Sequence, residues 1–215
     1  MKALENSDSF IGDKRIEIKD LSSLVNLRSL TINTGSLFDS SFQGLTRLES
    51  LDLRNCDFEN FKSNSFRYVP NLEKLEICTP KNIIVISIKE LSKLNKLEIH
   101  LVESLDIFES LKNDNLKTLV LRFNGNLNYF DGKCFSGLSN LKSLTLTSLY
   151  RKCKIKSINL NYDFFSRLEN LSLSCFLFTS FYILSLPEFL NLKHFAFWWC
   201  TTGSTIIHAD LFKKL

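Results

Sequence analysis

Apolar residues recur in this chain at a spacing that fits neither a long helix nor a long strand. In the segment 42–58, FQGLTRLESLDLRNCDF, leucines stand at positions 45, 48, 51 and 53, so two steps of three precede a step of two. The step of two rotates the apolar side away from a helical face, whereas Leu51 and Leu53 point to one side of an extended chain. The pattern therefore predicts a bend through a loop followed by a short strand.

The same pattern, LxxLxLxx, returns along the whole sequence and makes it a repeat array. The first residues of its eight cores are Leu27, Leu48, Leu72, Leu94, Leu116, Leu141, Leu168 and Leu192, at intervals of 21, 24, 22, 22, 25, 27 and 24 residues. Because each repeat buries its apolar side only against its neighbours, we predict one solenoid over residues 1–215. Residues 10–27 and the last segment, HADLFKKL, fit partial repeats without polar or cysteine-bonded caps, so we expect a fragment of a longer protein.

Composition narrows the class of protein. Apolar residues make up 44% of the chain and charged residues 23%, which is typical of a folded protein rather than a disordered one. The net charge of +4 comes from interspersed charges without a basic run, so we expect no nucleic-acid partner. The uncharged segment 170–187 imitates a membrane span, but its serines, its proline and its in-register leucines argue against one.

Three segments carry a resemblance to a known family: FQGLTRLESLDLRNCDF, FRYVPNLEKLEI and CFSGLSNLKSLTL, each with Phe six residues before the first core leucine. The chain resembles the leucine-rich repeat family, and most of all the repeats of Toll-like receptor and matrix-protein ectodomains. The resemblance implies an α/β solenoid with a horseshoe shape. A parallel β-sheet would form its concave face, and loops with short helical turns its convex face. It also implies a binding function without catalysis.

The chain departs from that family at the ninth position of each repeat, where an asparagine usually satisfies backbone groups of the turn. Only Asn124 matches fully, while Cys56 and Cys200 are tolerated substitutes that we expect to face inward at the turn. We expect irregular turns around Pro80, Val102 and Leu149, since an unpaired buried backbone group costs about 1–3 kcal/mol. Phenylalanines that recur before the cores predict an internal aromatic stripe, formed by Phe42, Phe66, Phe135 and Phe189, with Phe108 and Phe165 in comparable loops.

Candidate chemistry is sparse. The six cysteines form no close-spaced pair, so we expect free thiols rather than a disulfide framework or a zinc site. Cys78 and His100 share one column of neighbouring strands, but two ligands do not make a metal site. The three histidines belong to no nucleophile–base motif, and phosphate-binding glycine loops are absent. We therefore expect no enzyme, no cofactor and no metal.

The predicted concave face supplies the candidate binding residues. Three acids occupy one column of adjacent strands, and either they form a binding patch or nearby Arg54, Lys74 and Lys96 neutralise them. Leu101 and Phe123 are predicted to be exposed neighbours, and aromatic residues beside arginine are typical of interface anchors. Trp198 and Trp199 form a second anchor unless a loop or missing repeats cover them. The predicted partner-binding set is Glu49, Asp52, Arg54, Glu73, Glu76, Glu98, His100, Leu101, Arg122, Phe123, Trp198 and Trp199.

Two function classes remain open. The Phe-containing segments before the cores favour a receptor ectodomain that binds a protein ligand, at the cell surface or outside the cell. Free cysteines and irregular repeat lengths favour an intracellular adaptor, similar to F-box proteins or immune sensors, that recognises a protein substrate. A single glycosylation sequon, Asn170-Leu171-Ser172, does not decide between them, since a lone sequon arises easily by chance.

Overall fold

The computed structural model describes most of the chain, and almost all of the regular elements in the described part are short strands. The described residues are 17–61, 65–78, 88–102, 112–125, 127–149, 153–159, 166–178, 191–198 and 201–202. The strands are β1 (Glu17–Ile18), β2 (Ser29–Ile32), β3 (Gly35–Phe38), β4 (Ser50–Arg54), β5 (Cys56–Asn60), β6 (Lys74–Cys78), β7 (Lys96–Val102), β8 (Thr118–Phe123), β9 (Leu127–Asp131), β10 (Ser143–Ser148), β11 (Cys153–Asn159), β12 (Asn170–Ser174), β13 (Phe176–Phe178), β14 (His194–Trp198) and β15 (Thr201–Thr202).

Each of the eight predicted cores supplies one strand of a single long sheet. Its order is β14-β12-β10-β8-β7-β6-β4-β2, and all of its pairs are parallel. The register keeps equivalent core residues side by side, as where Leu51 pairs with Leu75 and Leu75 with Leu97. The predicted solenoid with a parallel sheet is confirmed.

Two smaller parallel sheets are formed by segments that follow strands of the long sheet in their repeats, where the sequence predicted loops. Their orders are β1-β3-β5 and β15-β13-β11-β9. Asn55 and Cys175 adopt left-handed backbone conformations, with φ of 49° and 64°, and the next residues, Cys56 and Phe176, begin strands of these smaller sheets. The left-handed residue thus redirects the chain from one sheet to the other. Short 3₁₀ turns at Ser65–Tyr68 and Gly132–Phe135 match the expected helical turns.

The core lies between the long sheet and the smaller sheets. Alternate residues of the long strands point into it, so that Leu51, Leu53, Leu75 and Ile77 are at most 1% exposed. Cys56 is buried at the turn, as predicted, whereas Cys200 lies outside the described residues. Each layer buries its leucines against the next layer, which is the condition for a continuous solenoid.

The predicted aromatic stripe is confirmed for its described members. Phe42, Phe66 and Phe135 are buried, and Phe42 stacks on Phe66 with ring centroids 6.2 Å apart and an interplanar angle of 11°. Phe61 meets the edges of both stacked rings, at 5.7 Å from Phe42 and 5.1 Å from Phe66. Phe108, Phe165 and Phe189 lie outside the described residues.

Asparagine side chains link some neighbouring repeats at a position that the sequence did not suggest. In three repeats, the asparagine immediately before the first core leucine donates from its side-chain amide to a backbone carbonyl of the preceding repeat. The bonds run from Asn71 to Thr46 O at 2.6 Å, from Asn140 to Asp114 O at 2.7 Å and from Asn191 to Ser166 O at 3.0 Å. These repeats are not consecutive, so the bonds form separate links between loops and not a ladder.

The segment 170–187, which imitates a membrane span in composition, begins with strands β12 and β13. Within the described part of the chain, we find no helix with the length and apolarity that a membrane span requires.

Replacement of Phe66 tests the aromatic stripe. Phe66→Ala should lower the free energy of unfolding by about 3–5 kcal/mol, because it opens a cavity between Phe42 and Phe61. Chemical denaturation monitored by circular dichroism measures this change. Leu24→Ala is the matched control, since Leu24 is 43% exposed, and it should change the stability by less than about 1 kcal/mol. Equal losses in the two variants would contradict the stripe.

Candidate functional site

The open face of the long sheet is formed by the side chains that alternate with the buried leucines. Because the strands pair in register, these side chains form straight rows that cross the strands. The lysine row contains Ser50, Lys74, Lys96 and Thr118. The acid row contains Asp52, Glu76, Glu98 and Val120, and the arginine row contains Arg54, Cys78, His100, Arg122, Thr147, Ser174 and Trp198. The predicted acidic column is therefore confirmed, and cations flank it on both sides.

Glu98 is the centre of an ion network on this face. Arg122 donates to its Oε1 from Nε at 2.9 Å and from Nη2 at 2.8 Å, and Lys96 Nζ lies 3.1 Å from its Oε2. His100 Nε2 lies 3.0 Å from the same Oε1. All three partners come from β7 itself or from β8, so register alone brings them together.

The network continues across β6 to β4. His100 Nε2 also lies 3.3 Å from Glu76 Oε1, and Arg54 Nη2 lies 3.8 Å from that oxygen. Arg54 donates to both carboxylate oxygens of Asp52, from Nη2 to Oδ2 at 2.7 Å and from Nε to Oδ1 at 3.1 Å. The three acids therefore do not face one another unpaired, because each has a cationic or imidazole partner.

Exposure separates the two signs of charge. The side chains of Arg54, Lys96 and Arg122 are 50%, 41% and 36% exposed, whereas those of Glu76, Asp52 and Glu98 are 31%, 18% and 9% exposed. Asp52 and Glu98 are therefore less exposed than the cations that bind them, whereas Glu76 is almost as exposed as Arg122. The sequence left open whether the acids bind or are neutralised nearby by Arg54, Lys74 and Lys96. The geometry supports neutralisation by Arg54, Lys96 and Arg122, while Lys74 is exposed in the lysine row.

The titration of Glu98 reflects this arrangement. Burial raises the pKa of its carboxyl, but the hydrogen bonds from Arg122 and Lys96 outweigh burial and hold that pKa below its ordinary value of 4.5. Burial raises the pKa of the Cys78 thiol, which keeps this cysteine protonated and poorly nucleophilic. Cys78 and Cys175 are free thiols, as predicted.

Three donor groups of the network lie close enough together to share an ion. Ligand atoms of Glu76, Glu98 and His100 lie within 4.8 Å of one another. Both carboxylates already pair with arginine or lysine, so a divalent cation would have to compete with those side chains for the same oxygens. We assign these donors to the ion network, since the geometry is fully explained by it.

The other half of the open face is uncharged along the same rows. Thr147 and Ser174 share a hydrogen bond between their hydroxyls at 2.8 Å, and Thr145 and Ser172 lie beside them in the acid row. The arginine row ends at Trp198, which is 61% exposed. Trp199 lies outside the described residues, and the predicted anchor formed by these two tryptophans stays a prediction.

The prediction that Phe123 is exposed beside Leu101 is wrong. Phe123 pairs with Val102, not with Leu101, and its side chain is fully buried. The reason lies in β8. Leu101, with φ of 61°, stands at the same position of its repeat as the left-handed residues Asn55 and Cys175, and the residue after it, Val102, points inward. Strand β8 has no left-handed residue at that position, so Phe123 itself takes the inward place and pairs with Val102.

The remaining predicted residues divide into two groups. Leu101 is half-buried at the bulge, which confirms an irregular turn at Val102. Glu49 pairs with Arg28 and lies just before β4, while Glu73 is exposed just before β6. The structure therefore brings neither Glu49 nor Glu73 into the ion network.

Two parts of the open face are absent from the predicted binding set. The first is Lys96, one of the three exposed cations of the network. The second is the pair of hydroxyls of Thr147 and Ser174, which continue the row of Arg54 and Arg122. Both could have been found from the repeat alignment, because residues at the same position of each repeat face the same side of the sheet.

Comparison with known proteins adds two similar structures. No protein-family model and no curated protein matches the chain. Internalin C2 of Listeria monocytogenes is 17% identical to it with a TM-score of 0.43, over 75% of this chain and 76% of the other. Internalin F of the same organism is 18% identical with a TM-score of 0.41, over 93% and 76%. Both TM-scores are below 0.5, so the fold is assigned from the strand pairing within this chain and not from these two structures.

Titration of Glu98 provides a test of the network. A lowered pKa stabilises the fold above the ordinary value of 4.5, and this contribution is lost as the pH falls below it. Glu98→Gln should therefore reduce stability by about 1–3 kcal/mol at pH 7, and the difference from the unaltered protein should shrink below pH 4.5. Urea denaturation at about four pH values between pH 3 and pH 7 measures this difference in stability.

The control for that titration is Glu90→Gln, because Glu90 is exposed and lies outside the network. Its unfolding curve should follow that of the unaltered protein at every pH. A Glu98→Gln variant with a pH-independent deficit would contradict an ionised, paired Glu98.

Proposed function

We propose that the open face of the long sheet binds a partner protein. The observation that carries this proposal is the arginine row, which places Arg54, Arg122 and Trp198 in one line across seven parallel strands. Arginine and tryptophan are the residue types that most often dominate binding energy at interfaces. With strands about 4.8 Å apart, the line extends over about 29 Å, a length suited to a protein partner.

Rigidity of the sheet supports the same proposal. The side chains of the open face stand on strands whose other sides are buried in the core, so their backbones are held in place before binding. A surface that is ordered in advance loses less conformational freedom when a partner binds. Catalysis has no comparable support, since the charged groups of this face satisfy one another.

We further propose that the chain is part of a receptor ectodomain. The segments with Phe42, Phe66 and Phe135, which pack as those of ectodomain repeats are expected to, support this assignment. An intracellular adaptor that recognises a protein substrate is the second candidate, and the free thiols of Cys78 and Cys175 favour it.

Obstruction of the open face tests partner binding. Ser172→Arg places a long side chain among Thr145, Ser174 and Ala196 without touching the core, because Ser172 alternates with buried leucines. Proteins captured from the native source by the unaltered chain should be lost with Ser172→Arg and with Trp198→Ala, as quantified by mass spectrometry. Thr46→Arg, an exposed loop position, is the matched control and should retain them. Capture that is insensitive to Ser172→Arg would reject the open face as the binding site.

The sequon at Asn170 separates the two candidate classes. Asn170 is half-buried at the start of β12, and its side chain belongs to the open face. For an ectodomain, the native protein should lose mass on treatment with an N-glycosidase, and Asn170→Gln should abolish this loss. For an adaptor, Cys78 and Cys175 should instead be reduced and the glycan absent.

A further inference from the structure

The charges of the open face are layered, and the layers indicate what approaches them. The lysine row and the arginine row flank the acid row, and the cations that bind Asp52 and Glu98 are more exposed than those two carboxylates. At these two acids, an incoming ligand therefore meets guanidinium and ammonium groups before it meets a carboxylate. Lys74, beside Lys96 in the lysine row, is also exposed and adds a fourth cation to this upper layer.

The arginines retain donors for a ligand. Arg122 uses Nε and Nη2 to bind Glu98, and Arg54 uses the same two groups to bind Asp52. A guanidinium carries five N–H groups, and within the described part of the chain no hydrogen bond occupies the Nη1 side of either arginine. Since the acids below already fix the two side chains, a ligand carboxylate meets donors that are held in position.

Spacing adds a second constraint. Arg54 and Arg122 lie in the same row but three strand steps apart, which corresponds to about 14 Å between their backbones. Their guanidinium groups are closer, because both turn toward the network between them. In an extended peptide, side chains on one side repeat every two residues, so positions i and i+4 are about 13 Å apart. A peptide that crosses β4, β6, β7 and β8 at right angles would place alternate side chains over both arginines.

We propose that the partner binds through an extended acidic segment, with carboxylates at alternate positions, that crosses β4, β6, β7 and β8 over Arg54 and Arg122, with Lys96 flanking it from the lysine row. This inference rests on the proposed function of the open face and specifies the chemistry of its partner. The opposite chemistry, a basic segment bound by the acid row, would have to displace the arginine and lysine side chains that bind Asp52 and Glu98, and would meet only Glu76 as a comparably exposed carboxylate.

Two labelled peptides of opposite charge test the inference on the unaltered protein. The probes are fluorescein-labelled peptides of alternating Glu and Gly or alternating Lys and Gly, each about eight residues long. Fluorescence anisotropy should show binding of the Glu peptide and none of the Lys peptide. The affinity should fall steeply as the ionic strength rises from about 0.01 M to about 1 M, because the Debye length shrinks from about 30 Å to about 3 Å. A Glu peptide of the same composition with its acids in one block should bind more weakly.

Paired arginine variants locate the binding site. Arg54→Gln combined with Arg122→Gln should lower the affinity for the alternating Glu peptide by about tenfold or more. Arg47→Gln combined with Arg167→Gln removes the same charge from exposed loop positions, and should change the affinity by less than about twofold. Circular dichroism checks that both double variants are folded, and the peptide comparison on the unaltered protein stands if one is not.

Three results would overturn the inference: binding of the Lys peptide at least as tight as that of the Glu peptide, no binding of either peptide at low ionic strength, or equal losses in the two double variants. Equal affinity for the blocked and alternating Glu peptides would overturn the crossing geometry. None of these results affects the test with Ser172→Arg, which uses the natural partner. If the peptide test fails and the Ser172→Arg test succeeds, an acidic partner is rejected but the open face remains the binding site.

Discussion

The burial of each layer of leucines against the next layer is the constraint on which this structure depends. A leucine such as Leu75 is 1% exposed because Leu51 and Leu97 pair on either side of it in the long sheet. A slip of one residue in this register would turn each core leucine to solvent. The same constraint fixes the open face, because residues that alternate with the leucines must form straight rows.

This constraint explains how much of the structure could be predicted from sequence. The eight cores specify the strands of the long sheet, since the LxxLxLxx spacing permits only one inward face. Burial of Phe42 and Phe66 follows from their fixed distance to the core leucine. The acidic column was predictable for the same reason, because Asp52, Glu76 and Glu98 occupy equivalent positions in consecutive repeats.

Prediction failed where the repeats differ by a single residue or where long side chains choose between directions. Phe123 was misplaced because β8 lacks the left-handed residue that Asn55, Leu101 and Cys175 supply at the same position of their repeats, and nothing in the sequence marks its absence. Counting from the core leucine therefore fails by one residue in β8. The layering of charge was equally hidden, since a column specifies which residues are neighbours but not that Arg122 lies above Glu98.

The acids beneath the cations have a physical consequence for binding. A free arginine on a surface samples many rotamers, and a partner that immobilises it loses part of the binding energy to that ordering. Asp52 and Glu98 already hold Arg54 and Arg122, so this entropy is lost on folding instead. The same acids weaken the attraction for an anionic partner, because they cancel much of the cationic charge at longer range. A face of this kind favours selectivity for well-placed carboxylates over high affinity for any negatively charged surface.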